Sequence, residues 1–220
     1  MYSMRNEKLT NTIAAKVISQ VETLPYFSVD NLKILGVKTE YLHRILSRAL
    51  KKGDIVRLKK GLYTSTSFVE HSKMTGEYSA FAEFASSILY RQSYLSLEYV
   101  LYEHNILTEV PVAFSAITTQ KTKRFINPFG TFIYHSIKAK LFTGFATGRS
   151  GLFTINKATR AKALFDFLYL RKFAINNKES FDTLRLNLET LTAHDRKEFK
   201  TYTKEEGGKK MALMAEFICR

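Results

Sequence analysis

TEYLHRILSRALKKGDIVRLKKGLY, residues 39–63, decides the fold of the first part of this 220-residue chain. At about 100° per residue, Leu42, Ile45, Leu46, Ala49 and Leu50 gather on one side of a helix. Glu40, Arg44, Ser47, Arg48 and Lys51 fall on the other. Thr39 is placed to cap this helix, which runs to about Lys52 and stops at Gly53. After Gly53, DIVRL and GLYT read as two short strands joined by a turn that holds Lys59, Lys60 and Gly61.

Upstream, residues 9–23 place Ile13, Val17, Ile18 and Val21 at helical spacing, and Pro25 lies beyond them as a breaker. Ser28 is a candidate N-cap for a short helix through Leu32 and Leu35, closed by Gly36. Two short helices, a turn and a third helix with opposed faces make a helix-turn-helix, and the basic hairpin adds a wing. The apolar face packs inward, and the basic face is left for phosphates and base edges in a major groove. Arg44 and Ser47 are candidates for base contact. Arg48, Lys51, Lys59 and Lys60 are candidates for phosphate contact, and Lys38, Lys52 and Arg57 complete the candidate DNA-binding set. The competing reading is a solvated basic face on a protein-interaction module. Topology, opposed faces and wing together favour DNA.

Charge distribution supports the same division. The chain carries 34 Lys and Arg against 20 Asp and Glu, a net charge of +14 that calls for a polyanionic partner. Residues 33–63 hold a surplus of +7 and residues 111–172 one of +10, with an acidic stretch of −4 between them. The second block offers Lys121, Lys123, Arg124, Lys138, Lys140 and Arg149 as a second basic surface. A single cysteine, Cys219, excludes a disulfide framework and a multi-cysteine zinc site. No apolar run approaches the ~18–20 residues of a membrane span, and Met1–Thr10 is too polar for a signal core. The reading is a soluble, cytoplasmic protein with no membrane partner.

The fold class expected is α+β. Residues 1–65 form the winged helix-turn-helix, and residues 66–220 form an α+β domain with C-terminal helices. In the latter, 78–90 reads as a buried helix, Ser96 as the cap of a helix ending near Asn105, and 112–119 as a strand. Residues 124–137 read as a hairpin about Asn127-Pro128-Phe129-Gly130, and 151–155 as a strand. Asn156 is read as capping a long helix with Ala161, Leu164, Phe165 and Leu168 inward. Residues 182–192, 195–206 and 209–218 read as helices broken at Gly207-Gly208, and Gly144, Gly148 and Gly151 as a mobile loop.

An enzyme is the main competitor for this half. Metal-assisted phosphoryl chemistry needs clustered carboxylates, yet residues 111–172 supply only Asp166. Glu77, Glu83, Glu98 and Glu103 fall at surface-like positions of expected helices. There is no P-loop or dinucleotide glycine motif, and His104 and His135 have no partner at nucleophile–base spacing. Neither catalysis, a metal nor a cofactor is expected.

Four strings together resemble the AbiEi family of antitoxins from type IV abortive-infection toxin–antitoxin systems, which act in phage defence. They are LKKGLY (58–63), SYLSLEYVLYEH (93–104), Thr118-Thr119 followed by Lys121, Lys123 and Arg124, and ATRAKALFD (158–166). The resemblance covers roughly residues 25–172. It implies a winged-helix transcriptional autorepressor joined to an antitoxin domain. That domain would oppose a nucleotidyltransferase-type toxin encoded alongside, without a stable complex. It assigns Arg44, Arg48, Lys59 and Lys60 to the operator, and Lys162 and Asp166 to a structural i,i+4 pair of ordinary helix-pair strength. Asn105 stands where the family commonly has glycine, and residues 195–220 lie outside the resemblance. The alternative is a stand-alone winged-helix regulator whose second domain binds a ligand or dimerises. A nucleic-acid enzyme is a third reading, opposed by the shortage of carboxylates.

Overall fold

The computed structural model describes residues 13–219, so residues 9–12 of the expected first helix and the polar stretch Met1–Thr10 lie outside the described residues. The described chain is α+β and divides into two compact units. One runs through Ala82 and includes Asn127–Phe129; the other holds Glu83–Ile126 and the chain from Gly130 onward.

In the first unit, α1 (residues 13–21) ends before Pro25. A two-residue strand, β1 (Phe27–Ser28), leads into α2 (Val29–Leu32) and a 3-10 turn, Lys33–Leu35. The backbone N–H and the hydroxyl of Ser28 both donate to Asn31 Oδ1 at 2.8 Å, which fixes the entry to α2. Next come α3 (Thr39–Lys52), the strands β2 (Ile55–Lys59) and β3 (Leu62–Ser65), and α4 (Thr66–Met74). The three strands form an antiparallel sheet in the order β1-β3-β2. Val17, Val21, Phe27, Leu42, Leu46 and Ile55, all 2 % exposed or less, form the centre of its core. Each such side chain contributes about 1.5–3 kcal/mol by leaving water.

Two local expectations need correction. Thr39 is the first helical residue rather than the cap: the carbonyl of Lys38 accepts from the Leu42 N–H at 3.0 Å, so Lys38 holds the cap position. Lys59 belongs to β2, and only Lys60 and Gly61 form the turn.

The junction of α3 and β2 is tightly tied. Gly53 adopts φ +81°, open to glycine without steric cost. Its N–H donates to the Leu50 carbonyl at 3.2 Å, while the Asp54 N–H reaches back to the Ala49 carbonyl at 3.0 Å. The Asp54 carbonyl accepts from the Thr66 N–H at 3.0 Å, and the Thr66 hydroxyl donates to the Gly53 carbonyl. The end of α3 and the end of β3 are thereby held by the same two residues.

The second unit carries most of α5 (Tyr78–Leu89) and a six-stranded mixed sheet. Its strands are β4 (Ser93–Leu95), β5 (Phe114–Thr118), β6 (Lys123–Asn127), β7 (Gly130–Ser136), β8 (Phe145–Ser150) and β9 (Phe153–Ala158). The spatial order is β6-β7-β5-β4-β9-β8, with β5–β7 and β4–β9 parallel. The helices are α6 (Leu97–Glu103), α7 (Arg160–Arg171), α8 (Lys178–Asp182), α9 (Ala193–Glu206) and α10 (Lys209–Ile218).

Here too the structure departs from several expectations. Residues 144–151 are not a loop, because Phe145–Ser150 pairs along the whole length of β9. That strand continues to Ala158, so Asn156 lies within it and Thr159 caps α7, its Oγ1 accepting from the Lys162 N–H at 3.1 Å. Ser96 sits at the N-cap of α6, but its hydroxyl is used elsewhere. Ser115 Oγ from β5 accepts the Tyr99 N–H at 3.2 Å in its place. Residues 182–192 are not a helix: α8 ends at Asp182 and only a 3-10 turn, Leu188–Thr190, follows.

Candidate nucleic-acid interface

The amphipathic sequence of α3 determines what it exposes. Leu42, Ile45, Leu46 and Ala49 are buried, and Arg44, Ser47, Arg48, Lys51 and Lys52 are exposed. Lys38, Arg57 and Lys60 are exposed as well, and Lys59 is half-buried. The Arg44 guanidinium lies 5.4 Å from the centroid of the Tyr41 ring, and that of Arg57 lies 6.0 Å from Tyr63. Such stacking holds a guanidinium over an aromatic face while leaving its N–H donors available. No ion pair among the described residues engages Lys38, Arg44, Arg48, Lys51, Lys52, Arg57 or Lys60.

Many basic residues of the second unit are instead neutralised locally. Lys157 lies 2.9 Å from Glu83 and 2.7 Å from Glu103, and Lys172 lies 2.6 Å from Glu206. Arg171 pairs with Glu98, and Lys178 with Asp182. Glu83 is therefore not a surface carboxylate: it is 7 % exposed and also accepts from the Tyr99 hydroxyl at 2.7 Å.

The second basic set is dispersed. Lys123 and Arg124 lie on edge strand β6, with Lys121 just before it, and the Lys123 ammonium stacks over Phe125 at 5.2 Å. Arg149 lies on β8, the opposite edge of the sheet. Lys138 and Lys140 follow β7, and Lys140 Nζ donates to the Glu205 carbonyl at 2.8 Å. Five strand steps separate the two edges, about 24 Å at the usual spacing.

A second polar centre is closed to solvent. Lys162 and Asp166 on α7 are both 0 % exposed, with Nζ 2.7 Å from Oδ1. Lys162 also donates to the Leu141 carbonyl at 2.7 Å. Asp166 Oδ2 accepts from Tyr94 at 3.0 Å and from Ser96 at 2.9 Å. The Lys162 ammonium lies 4.7 Å from the centre of the Phe165 ring and 5.2 Å from that of Tyr202. Burial pushes the Asp166 carboxyl up and the Lys162 ammonium down, while their contact opposes both. The i,i+4 pair read from the sequence is present, but it is not of ordinary helix-pair kind, because the surrounding strands and helix α9 exclude water from it.

His194, Asp195 and Glu198 bring possible metal-ligand atoms within 4.8 Å of one another. Their carboxylates already have structural partners, however. Asp195 Oδ2 accepts the N–H and hydroxyl of Thr192, and Glu198 Oε1 accepts the hydroxyls of Thr159 and Tyr202. His104 and His135 are half-buried, and burial lowers the pKa of each. Among the described residues, no helix is long and apolar enough to cross a membrane.

The exposed face of α3 carries Arg44, Arg48, Lys51 and Lys52 beside one acidic residue, Glu40, and the hairpin adds Arg57 and Lys60. Residues 22–66 match the AbiEi antitoxin family. The family is described as "Transcriptional regulator, AbiEi antitoxin". The matching segment begins after α1 and ends at the first residue of α4, so it takes in α3 and both hairpin strands. It contains Lys38, Arg44, Ser47, Arg48, Lys51, Lys52, Arg57, Lys59 and Lys60, and none of the second basic set. No curated protein matches the chain.

One residue beside the β2–β3 hairpin carries only a turn signal in the sequence. Asn127 Nδ2 donates to the Leu58 carbonyl of β2 at 3.1 Å, from 69 positions away in the chain.

Proposed function

We propose that this chain is a DNA-binding transcriptional regulator that represses its own operon. We also infer that it is an antitoxin counteracting a nucleotidyltransferase-type toxin encoded beside it, without a stable complex between them. The observation that carries the reading is the outer face of α3. It exposes Ser47 together with Arg44, Arg48 and Lys51, which have no ion-pair partner among the described residues, inside the segment that matches the AbiEi family.

In this reading α3 enters the major groove. Arg44 and Ser47 reach base edges, where an arginine can bind guanine through two N–H groups. Arg48, Lys51, Lys52, Arg57, Lys59 and Lys60 hold the phosphates, with Lys38 at the start of the helix. Residues 1–65 supply repression and residues 66–220 antitoxicity.

A promoter-reporter assay and a toxin co-expression assay, run on the same full-length variants, test the two halves of the reading. Arg44→Ala/Arg48→Ala is expected to abolish repression and leave rescue from the toxin intact. Wild-type protein that does not rescue cells from a neighbouring nucleotidyltransferase-type toxin would overturn the antitoxin assignment and leave the regulator.

A further inference from the structure

The wing strand β2 is interrupted by a bulge. Arg57 pairs with Tyr63 and Lys59 with Leu62, so Leu58 has no partner residue on β3. A bulge takes backbone groups out of the ladder and bends the strand that carries it. The Leu58 side chain is 2 % exposed, which fixes the bulge against the core on its side-chain side. Its carbonyl is taken by Asn127 Nδ2 at 3.1 Å.

The amide orientation of Asn127 is set independently. Its Oδ1 accepts the Phe129 N–H at 2.9 Å, so its nitrogen is directed toward Leu58. Phe129 is 8 % exposed and packs edge-on to Phe81 at 5.1 Å and against Tyr78 at 5.9 Å. Residues 127–129 accordingly cluster with the first unit.

We propose that Asn127 is a positioning residue for the wing, holding the Leu58 bulge so that Lys59 and Lys60 are presented to duplex phosphates. The inference rests on the DNA-binding reading above. Without the donor, the Leu58 carbonyl loses its anchor and the bulge is free to shift. A one-residue change of register turns every side chain of a strand to its other face. The wing lysines would then no longer act together.

Two substitutions isolate the donor. Asn127→Asp and Asn127→Ser both keep a short side-chain oxygen for the Phe129 N–H, but neither presents an amide nitrogen to Leu58. The serine variant adds no charge. Binding of full-length protein to a labelled mixed-sequence DNA duplex is measured across a salt series, below the melting midpoint of each variant.

The slope of log affinity against log salt is expected to shrink by about one unit in both variants, as for loss of one phosphate contact. Adding Lys60→Ala to Asn127→Ser is expected to bring less than its own separate loss, whereas adding Arg48→Ala brings its full loss. A wild-type slope in Asn127→Ser, or losses that simply add with Lys60→Ala, would overturn the inference alone. Wild-type protein that fails to bind the duplex would overturn the DNA-binding reading itself.

Discussion

Lys162 and Asp166 form an ion pair at 2.7 Å with neither side chain exposed to solvent. Further hydrogen bonds come from the Leu141 carbonyl and from the hydroxyls of Tyr94 and Ser96, which belong to two other segments of the chain. A pair of this kind costs desolvation on both sides, and its stability depends on keeping both members.

Asp166→Ala should therefore be strongly destabilising, by about 3–5 kcal/mol, because it strands the Lys162 ammonium in an apolar site. The double variant Lys162→Met/Asp166→Leu should recover most of that loss. Urea unfolding followed by circular dichroism measures both. A cost below about 1 kcal/mol for Asp166→Ala would show that water reaches the site.

Gly144 lies beside the same centre with φ +73°, and a Cβ there would sit 2.1 Å from the Tyr202 hydroxyl oxygen and 3.0 Å from Lys162 Cδ. Gly144→Ala is expected to lower stability by about 1–3 kcal/mol through overpacking, with added strain from the positive φ. Gly148→Ala serves as a control, since nothing lies within 4 Å of a Cβ at that position.

Base contacts and phosphate contacts predict different losses. Arg44→Ala and Ser47→Ala should relax sequence preference, and the Arg44 contact is expected to account for about 1–3 kcal/mol of discrimination. Lys60→Ala should weaken all duplexes alike and reduce the salt slope by about one unit. A selection from randomised duplexes, repeated at two salt concentrations, separates the two. Relaxed preference on loss of Lys60 would reverse the assignment.

The half-buried histidines set a pH dependence with a definite sign. Burial lowers the pKa of His104, aided by Arg160 and Lys157 and opposed by Asp195. Burial also lowers that of His135, aided by Arg171 and opposed by Glu98. As pH falls below about 6.5, the unfolded chain takes up protons before the folded one does. The stability these groups contribute is full above that value and is lost as pH falls through their lowered folded values. His104→Gln/His135→Gln should flatten this part of the curve of urea midpoint against pH. An unchanged slope would contradict the assignment.

The part of the fold legible in the sequence was the part with a strong period. In α3 four buried apolar residues and an exposed basic face follow one helical repeat, so type, extent and orientation could all be read. Strand β1 could not, because two residues carry no period; it forms because the free edge of β3 is beside Phe27 and Ser28. Strand β8, FATGRS, has a glycine and no alternation of apolar residues, and its structure comes from pairing with β9. The cap of α7 lies three residues beyond Asn156 because the end of β9, not the identity of Asn156, sets where the helix can begin.

The same limit applies to sites. An i,i+4 spacing predicts that Lys162 and Asp166 meet, but not that Tyr94, Leu141 and Tyr202 will close over them. Asn127 read only as a turn residue, since nothing local points to a carbonyl 69 positions away. The charge surplus of residues 111–172 is likewise an average over sequence: Lys123 and Arg124 lie on one edge of the sheet, Arg149 on the other, and Arg160, Lys162 and Arg171 on α7.

The double tie at Gly53 and Asp54 has a consequence for recognition. The helix that would read bases and the hairpin that would grip the backbone share one anchored corner, so they would meet a duplex as a preorganised pair. Their mutual angle is set during folding, and the entropy of fixing it would not be lost again on binding.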